Sequence, residues 1–337
     1  MKKVQGFTWT VEDTNLITYH EIYGDVLVEL GQQDERIVCL TADLANTTKI
    51  GRFKEAFPER FFNVGIAEQN MVAMASGLAA TGLKPVISTY AIFATLRAAE
   101  FIRTDIAYNQ RDVTIIGTLS GVSFGQGGAT HHAQEDLALM RSIPNMLVLA
   151  PCDGYEAAKA VRAAVASSSP AYIRIARSVE HYVHKDQDFA WTLGKASLLK
   201  EGSDITVIAC GITVYHALSA AERAQADGVS VRVLNMHTLK PLDHEAVLQA
   251  LTETRRIVTV EDHSIVGGLG SAVAEVIASS GKGCAFRKLA HPDRFSGMGY
   301  PDDLIHDIGI DDEGILKTIS ELMKVDITVD DDWQDES

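Results

Sequence analysis

A single carboxylate stands at the head of an otherwise apolar stretch. Glu68 opens the run EQNMVAMASGL, in which Met, Val, Ala and Leu predominate. A glutamate in a first turn commonly stabilises a helix, because the helix dipole favours negative charge there. Apolar neighbours oppose that charge by desolvation, and a carboxylate under both influences is suited to sharing a proton. Position alone therefore leaves two interpretations open: a cap for backbone N–H groups, or a group that shares a proton with a ligand.

Two aromatic residues and two histidines could line a ligand site. Tyr90 and Phe93 follow a strand-like run in STYAIF, and stacking on a flat ligand needs such rings in a dry pocket. His131 and His132 end the glycine-rich loop GVSFGQGGATHH, and an imidazole can move protons near neutral pH. Rings after a buried strand are more often core than ligand site, and two adjacent histidines without further ligands do not predict a metal.

The surrounding segments alternate between strand and helix patterns. Short β-branched runs recur, and Ala-rich stretches with helical spacing lie between most of them. This alternation predicts the α/β class, with two domains that each contain a mostly parallel sheet flanked by helices. The strand-like runs are 36–40, 84–89, 112–118, 145–151, 171–176, 204–211, 229–235 and 256–262.

The alternation lapses once, after Arg177. Residues 178–196 mix polar and aromatic types with no clear period, so we predict a linker there. It would join a first domain at 1–177 to a second at 197–324, and a chain of 337 residues is long enough for two cores. The acidic end, 325–337, is expected to be a solvated, disordered tail.

Composition argues against several classes of protein. A net charge of −15 disfavours nucleic acid or an anionic membrane as partner, since phosphate binding needs clustered Lys and Arg. No window is apolar enough to span a membrane, and the N-terminal residues lack the pattern of a secretion signal. The four cysteines lie far apart, so neither a disulfide framework nor a CxxC metal site is predicted. We expect a cytoplasmic protein with reduced thiols.

One glycine-rich segment has the order of elements found in dinucleotide-binding motifs. In RIVTVEDHSIVGGLGSAVAEV a strand, glycines and a helix follow one another. Several residues separate the strand from the first glycine, and close backbone packing at a helix start explains the same glycines. Nicotinamide binding is therefore not predicted.

Long, ordered motifs resemble the transketolase family over nearly the whole chain. The stretch from ADLANTTKIGRF to FIRTDIA, followed by THHAQEDLALMRSIPNMLVLAPCDGYE, resembles the pyrimidine-binding domain of transketolases. It is similar as well to 1-deoxyxylulose-5-phosphate synthases and to the β subunits of 2-oxo acid dehydrogenases. VRVLNMHTLKPLD and RIVTVEDHSIVGGLGSAVAEV resemble the transketolase C-terminal domain. The combination is most similar to split transketolases, in which one polypeptide carries these two domains and another carries the rest.

The resemblance implies a role for each candidate residue. It implies that Glu68 is catalytic and hydrogen-bonds N1′ of the thiamine diphosphate aminopyrimidine, which activates a cofactor that carries the difficult chemistry. It implies that Tyr90 and Phe93 pack on the aminopyrimidine ring. Asp43 would lie near the cofactor, although an aspartate at a strand end is also an ordinary turn residue. His131 would face the substrate and assist proton transfer.

The resemblance also implies that part of the active enzyme lies on another polypeptide. Thiamine diphosphate enzymes usually anchor the diphosphate through Mg²⁺ held by a GDG motif and a later asparagine, and this chain has no GDG. We therefore expect a separate subunit to supply the diphosphate-binding domain and the Mg²⁺ ligands, in an α2β2 assembly, with no metal ligand on this chain.

The substrate side departs from the usual sugar-phosphate pattern. Gly127 stands where the family carries an aspartate that contacts a donor hydroxyl, Leu119 replaces a histidine, and His20 aligns on a phosphate-binding arginine. Arg177 matches another phosphate-binding arginine, with a surface ion pair as the alternative, and Thr47 stands where a hydroxyl residue helps. A guanidinium suits phosphate, sulfonate or carboxylate, so a small anionic or polyhydroxy substrate is expected.

Three functions are compatible with the resemblance. The first is one subunit of a two-component, thiamine diphosphate-dependent transketolase-like enzyme that transfers a two-carbon ketol unit from a ketose-type donor to an aldehyde acceptor. The second is a β-type subunit of a decarboxylating 2-oxo acid enzyme, which would release CO₂ from a pyruvate-like donor. The third is a non-catalytic paralogue that stabilises a partner, and the intact Glu68, Phe93 and His131 argue against it.

Overall fold

The N-terminal half of the chain supplies six strands of a seven-stranded sheet that has helices on both faces. The computed structural model describes residues 19–177 and 182–325, and side chains of the first segment from Ile22 onward. The strands are β1 (Ile37–Thr41), β2 (Phe61–Asn63), β3 (Lys84–Tyr90), β4 (Thr114–Thr118), β5 (Leu147–Leu149) and β6 (Ala171–Arg174). The helices are α1 (Tyr19–Gln33), α2 (Gly51–Ala56), α3 (Glu68–Ala80), α4 (Ala99–Phe101), α5 (Asp136–Ser142) and α6 (Gly154–Ser167).

The C-terminal half builds a second sheet, of five strands. Its strands, together with one that joins the first sheet, are β7 (Ser197–Lys200), β8 (Ile205–Ala209), β9 (Val231–Asn235), β10 (Thr238–Lys240), β11 (Arg256–Ser264) and β12 (Ala285–His291). Its helices are α7 (Thr213–Ala226), α8 (His244–Glu253), α9 (Leu269–Ser279), α10 (Pro301–Asp307) and α11 (Asp312–Leu322). None of the helices in the described ranges has the length and apolar character needed to cross a bilayer.

Both sheets are mostly parallel, as the sequence predicts. The strand order is β10-β5-β6-β4-β3-β1-β2 in the first sheet and β12-β11-β8-β9-β7 in the second. Only the pairs β10–β5 and β7–β9 are antiparallel among the described strands. Strands β1, β4 and β8 are buried along their whole length, because helices cover both faces and an apolar run without alternation fits such a position.

The strands that the sequence does not reveal are those at the sheet edges. Every strand-like run predicted above overlaps an observed strand. The unpredicted strands β2, β7, β10 and β12 each stand at one end of a sheet order. An edge strand has one neighbour and is short or carries charged residues, as in AFRKLAH of β12, so its apolar pattern is weak.

The segment between the two sheets packs against the core although it contains no regular element. Residues 182–196 form neither helix nor strand, and 178–181 lie outside the described residues. Tyr182, Trp191 and Leu193 pack against the cluster beneath α1 and α6. The acidic segment 326–337 and the side chain of His20, in the first turn of α1, also lie outside the described part of the chain.

A buried ion pair joins the first sheet to the second half of the chain. Arg174, at the end of β6, donates from Nε to the carboxylate of Asp136, at distances of 2.9 and 3.2 Å. Its Nη2 donates to the carbonyls of Ala133 and Asp262, and the Tyr172 hydroxyl donates to Asp136 at 2.7 Å. Burial is the largest single influence and lowers the pKa of Arg174, but the neighbouring groups, led by the Asp136 and Asp262 carboxylates, together outweigh it and raise the pKa above its usual value, so the guanidinium stays charged.

Replacing Asp136 by Asn should lower the free energy of unfolding by about 3–5 kcal/mol, because it leaves the buried Arg174 guanidinium without its counter-charge. The matched control is Asp25→Asn, which removes the partner of Arg52 from a solvent-exposed pair. That change should cost less than about 1 kcal/mol. Denaturant titration of both variants measures the difference in their free energies of unfolding. Equal losses would show that the buried pair stabilises the chain no more than the exposed one.

Candidate functional site

The candidate site lies along one edge of the first sheet. Strands β6, β4, β3, β1 and β2 are consecutive parallel neighbours, so their carboxyl ends share that edge. In open α/β sheets ligands bind outside these ends. Each candidate residue in the described part of the chain lies at or just after the carboxyl end of one of these strands. Arg177 follows β6; Leu119, Gly127 and His131 follow β4; Tyr90 and Phe93 lie at the end of β3; Asp43 and Thr47 follow β1; and Glu68 follows β2.

Glu68 is the first residue of α3 and is almost fully buried. Its side chain is 3% exposed, and one oxygen, Oε1, accepts a hydrogen bond of 3.0 Å from Nη1 of Arg97. The N-cap residue, Ala67, offers no side-chain bond. Within the described ranges no backbone N–H donates to the Glu68 carboxylate, so it does not act as the helix cap that position alone would suggest.

Arg97 also contacts Phe93, four residues earlier on the same helical segment. Phe93–Arg97 is a π-helical turn, and the guanidinium carbon lies 4.0 Å from the centroid of the Phe93 ring. Helical spacing of four residues brings side chains together, and a cation over a ring face is attracted by the ring's quadrupole. Sequence reasoning missed Arg97, although the spacing F-x-x-x-R in FATLR was the available signal.

Four rings pack together next to this pair. The Tyr90 and Phe93 rings are nearly parallel, with centroids 5.6 Å apart. The His131 imidazole meets the edges of Phe93 and Phe124 at 5.3 and 5.5 Å, and its Nδ1 lies 2.9 Å from the hydroxyl of Thr130. The fold therefore brings together three of the sequence candidates and adds Phe124, which was not predicted.

His132 hydrogen-bonds within its own loop and does not belong to the ring cluster. It is buried, and its Nε2 lies within hydrogen-bond distance of the Gly125 carbonyl, at 3.3 Å. Burial lowers the pKa of His132, so the ring is neutral at pH 7 and Nε2 carries the hydrogen. Neither His131 nor His132 belongs to a group that could share a metal ion among the described residues.

Two of the three positions that depart from the sugar-phosphate pattern, Leu119 and Gly127, are apolar and closed, and the side chain of the third, His20, lies outside the described residues. Leu119 is buried and adopts a left-handed backbone conformation, with φ of 55°. A Cβ at Gly127 would lie 2.5 Å from the Phe124 ring and 2.7 Å from Cβ of His131. No side chain fits at Gly127 unless Phe124 or His131 moves, so an aspartate at that position is incompatible with the observed ring packing.

The remaining candidates lie at the rim. Arg177 is exposed, its guanidinium carbon lies 4.7 Å from the centroid of the Phe124 ring, and its backbone N–H donates to the Ser123 hydroxyl. Asp43 has a left-handed φ of 62° and exchanges two hydrogen bonds with Asn63. Thr47 is exposed. The structure therefore links Asp43 to the turn before Glu68, and it does not join Asp43 or Thr47 to the ring cluster.

The second half of the chain fixes the loop that carries His131. The backbone N–H of Val122 donates to Oδ1 of Asp262 at 3.2 Å, and Nε2 of His291 lies 2.7 Å from the same oxygen. At the other end of the loop, the backbone N–H of Ser264 donates to the Gln134 carbonyl at 2.7 Å. Both ends of the loop are thus tied to β11, and His291 of β12 contacts the Asp262 side chain that holds the first end.

A second group of chemically active side chains lies further along the same edge, after β5, which runs parallel to β6. The ligand atoms of Cys152, Asp153 and His184 lie within 4.8 Å of one another and are buried. One Asp153 oxygen already accepts from the backbone N–H of Val183 and from both the backbone N–H and Nδ1 of His184, and the other caps α6. Burial raises the pKa of the Cys152 thiol, which therefore stays protonated. Hydrogen bonding accounts for the group, and we assign no metal to it.

Comparison with known protein families identifies both halves of the chain. Residues 15–180 match the transketolase pyrimidine binding domain, and residues 194–315 match the transketolase C-terminal domain.

Individual relatives resemble the chain over nearly their full length. A putative transketolase C-terminal section from Methanocaldococcus jannaschii is 43% identical over 90% of this chain and 95% of its own. One of the subunits of apulose-4-phosphate transketolase from Phocaeicola vulgatus is 39% identical over 92% of this chain and 99% of its own. A solved split-gene transketolase, an inactive beta4 tetramer, is 41% identical with a TM-score of 0.82, and the match covers 91% of this chain and 98% of that one.

Gly127→Ala should lower the free energy of unfolding by about 1–3 kcal/mol, because the added methyl group overpacks the contact between Phe124 and His131. Gly77→Ala is the matched control, since Gly77 is exposed in α3 with open space around its Cβ position. It should stabilise the chain by about 0.5–1 kcal/mol through helix propensity. Thermal unfolding compares the two variants. A Gly127→Ala protein as stable as the wild type would show that the Phe124 and His131 side chains move apart at little cost in free energy.

Proposed function

The chain belongs to the transketolase family, and we propose that it is one subunit of a two-component, thiamine diphosphate-dependent transketolase. The enzyme would transfer a two-carbon ketol unit from a ketose-type donor to an aldehyde acceptor. The observation that supports this function is the buried Glu68 carboxylate beside the Phe93 ring, at the open edge of a parallel sheet. The full-length similarity to a transketolase C-terminal section and to a single subunit of another transketolase supports a divided enzyme.

The residues at this edge fit the aminopyrimidine of the cofactor. A planar N–H donor, the Arg97 guanidinium, already lies against both Glu68 and Phe93, so the space accepts a flat group that offers a polar edge to the carboxylate. Glu68, Tyr90 and Phe93 would hold the ring, with Asp43 near the cofactor. Once bound, thiamine diphosphate supplies a carbon nucleophile that attacks carbonyl groups.

The side chains of this subunit would bind, shield and move protons. The Glu68 carboxylate would share a proton with the bound ring, and the Phe93 and Tyr90 rings would exclude water from that contact. His131 has Nδ1 beside the Thr130 hydroxyl, so its Nε2 is the nitrogen that would exchange a proton with substrate. Arg177 and Thr47 at the rim would bind an anionic or polyhydroxy substrate, and the family resemblance adds His20 to this set.

We place the diphosphate and its Mg²⁺ on a partner subunit, in an α2β2 assembly. This chain has no GDG motif. Large apolar side chains are exposed next to the site, with Ile66 76% exposed two residues before Glu68 and Leu96 49% exposed beside Arg97. Exposed apolar surface of this kind suits a protein contact. The four cysteines are free thiols, which suits the reducing cytoplasm that we propose as its location.

A second candidate function is decarboxylation of a 2-oxo acid by the same type of site. It is favoured by Leu119 and Gly127, where buried apolar packing replaces side chains that would contact a ketose donor. A pyruvate-like donor needs fewer hydroxyl contacts than a sugar. Ketol transfer remains the first choice because the full-length relatives are transketolase chains.

Thiamine diphosphate with Mg²⁺ should bind tightly only to a mixture of this chain and its partner subunit, as measured by calorimetry. Glu68→Ala should weaken binding about 10- to 100-fold, because a hydrogen bond to a charged group contributes roughly 1.5–3 kcal/mol. Phe93→Ala should weaken it as well, through loss of stacking. Glu55→Ala, an exposed glutamate of α2, is the control and should bind as the wild type does. Absence of binding in a mixture whose complex forms would overturn the cofactor assignment.

The mixed subunits should convert a ketose donor and an aldehyde acceptor into a new ketose without release of CO₂. Product analysis by mass spectrometry and a CO₂ assay with pyruvate separate the two candidate functions. Release of CO₂ from pyruvate, with no ketol transfer, would favour the second candidate. Turnover that is unchanged in Glu68→Ala would instead indicate the non-catalytic paralogue.

A further inference from the structure

We infer that Arg97 is a placeholder for the aminopyrimidine. Its guanidinium occupies the position between Glu68 and Phe93 until the cofactor displaces it. This role rests on the proposed function, which assigns Glu68 and Phe93 to the ring and gives Arg97 no part.

A single planar group makes both contacts at once. The Arg97 guanidinium donates to Glu68 at 3.0 Å and lies 4.0 Å from the Phe93 centroid. A guanidinium is flat, carries N–H donors along its edge and presents an apolar face to an aromatic ring. An aminopyrimidine that meets the same carboxylate and stacks on the same ring has the same requirements. The two groups therefore compete for one position.

The burial of Glu68 explains why the contact persists until cofactor binds. Glu68 is 3% exposed, and a carboxylate withdrawn from water is costly unless it is paired or hydrogen-bonded. Arg97 is the partner that the structure gives this carboxylate within the described ranges. The pair thus stabilises a chain that has not yet received cofactor.

The exposure of Arg97 explains why the contact can be exchanged. Its side chain is 47% exposed, so the guanidinium can move into solvent along its flexible stem. Ion pairs and cation–π contacts of half-exposed arginines are individually weak. A cofactor that offers Glu68 and Phe93 equivalent contacts can replace Arg97, but the measured affinity is reduced according to the fraction of molecules in which Arg97 occupies the position.

The test is a calorimetric titration of thiamine diphosphate with Mg²⁺ into the mixture of full-length chain and partner subunit. Arg97→Met keeps an apolar stem near Phe93 but removes the charge and the N–H donors, and it should tighten cofactor binding roughly three- to tenfold. Arg103→Met makes the same substitution at an exposed arginine six residues further on, in the π-helical turn Ile102–Ala107, and should leave the affinity unchanged.

Thermal unfolding of the chain without cofactor gives a second readout. Arg97→Met should lower the melting temperature by about 2 °C, because Glu68 loses its partner. Adding Glu68→Gln to Arg97→Met should restore part of that loss, since a neutral amide needs no counter-charge. Arg103→Met should show neither effect.

The outcomes separate the failure of this inference from the failure of the proposed function. Binding that depends on Glu68 but is equal or weaker in Arg97→Met overturns the placeholder role and leaves the cofactor assignment standing. No binding by the wild type or by Arg97→Met, in mixtures whose complexes are seen by gel filtration, overturns the cofactor assignment and the placeholder with it.

Discussion

The burial of one guanidinium constrains the arrangement of this protein more than any other single interaction. Arg174 ends a central strand of the first sheet, where water cannot solvate its charge, so every acceptor must come from the protein. Those acceptors are the Asp136 carboxylate and the carbonyls of Ala133 and Asp262. Satisfying one charge therefore ties β6, the start of α5 and β11 of the second sheet to one point.

The loop that carries His131 runs between these tethers, and this explains its defined conformation. Its start is held by Asp262 and its end by Ser264. With both ends fixed, Gly127 lets the Phe124 and His131 rings approach closely. The opposite wall, built from β3 and α3, remains open to solvent at Arg97, and that is the side on which we place the partner subunit.

The two walls of the candidate site are built from different residues. The wall of Glu68 and Phe93 is the one that we propose for the cofactor ring, in a chain that belongs to the transketolase family. The wall of Leu119, Gly127 and Phe124 is apolar, with Arg177 at its rim.

Sequence patterns alone were enough to establish the α/β class and the central strands, and the resemblance to a family selected the side chains that we propose for the site. Buried parallel strands are apolar throughout and need no partner to be recognised, whereas the edge strands β2, β7, β10 and β12 have weak patterns and emerged only in the sheets. Glu68, Tyr90, Phe93 and His131 could be chosen by residue type and motif. The pairing of Glu68 with Arg97 and the closure of Phe124 over Gly127 became visible only in the folded chain. These contacts join separate elements of one sheet edge, and their geometry depends on the order of the strands and on side-chain packing, which local sequence patterns do not encode.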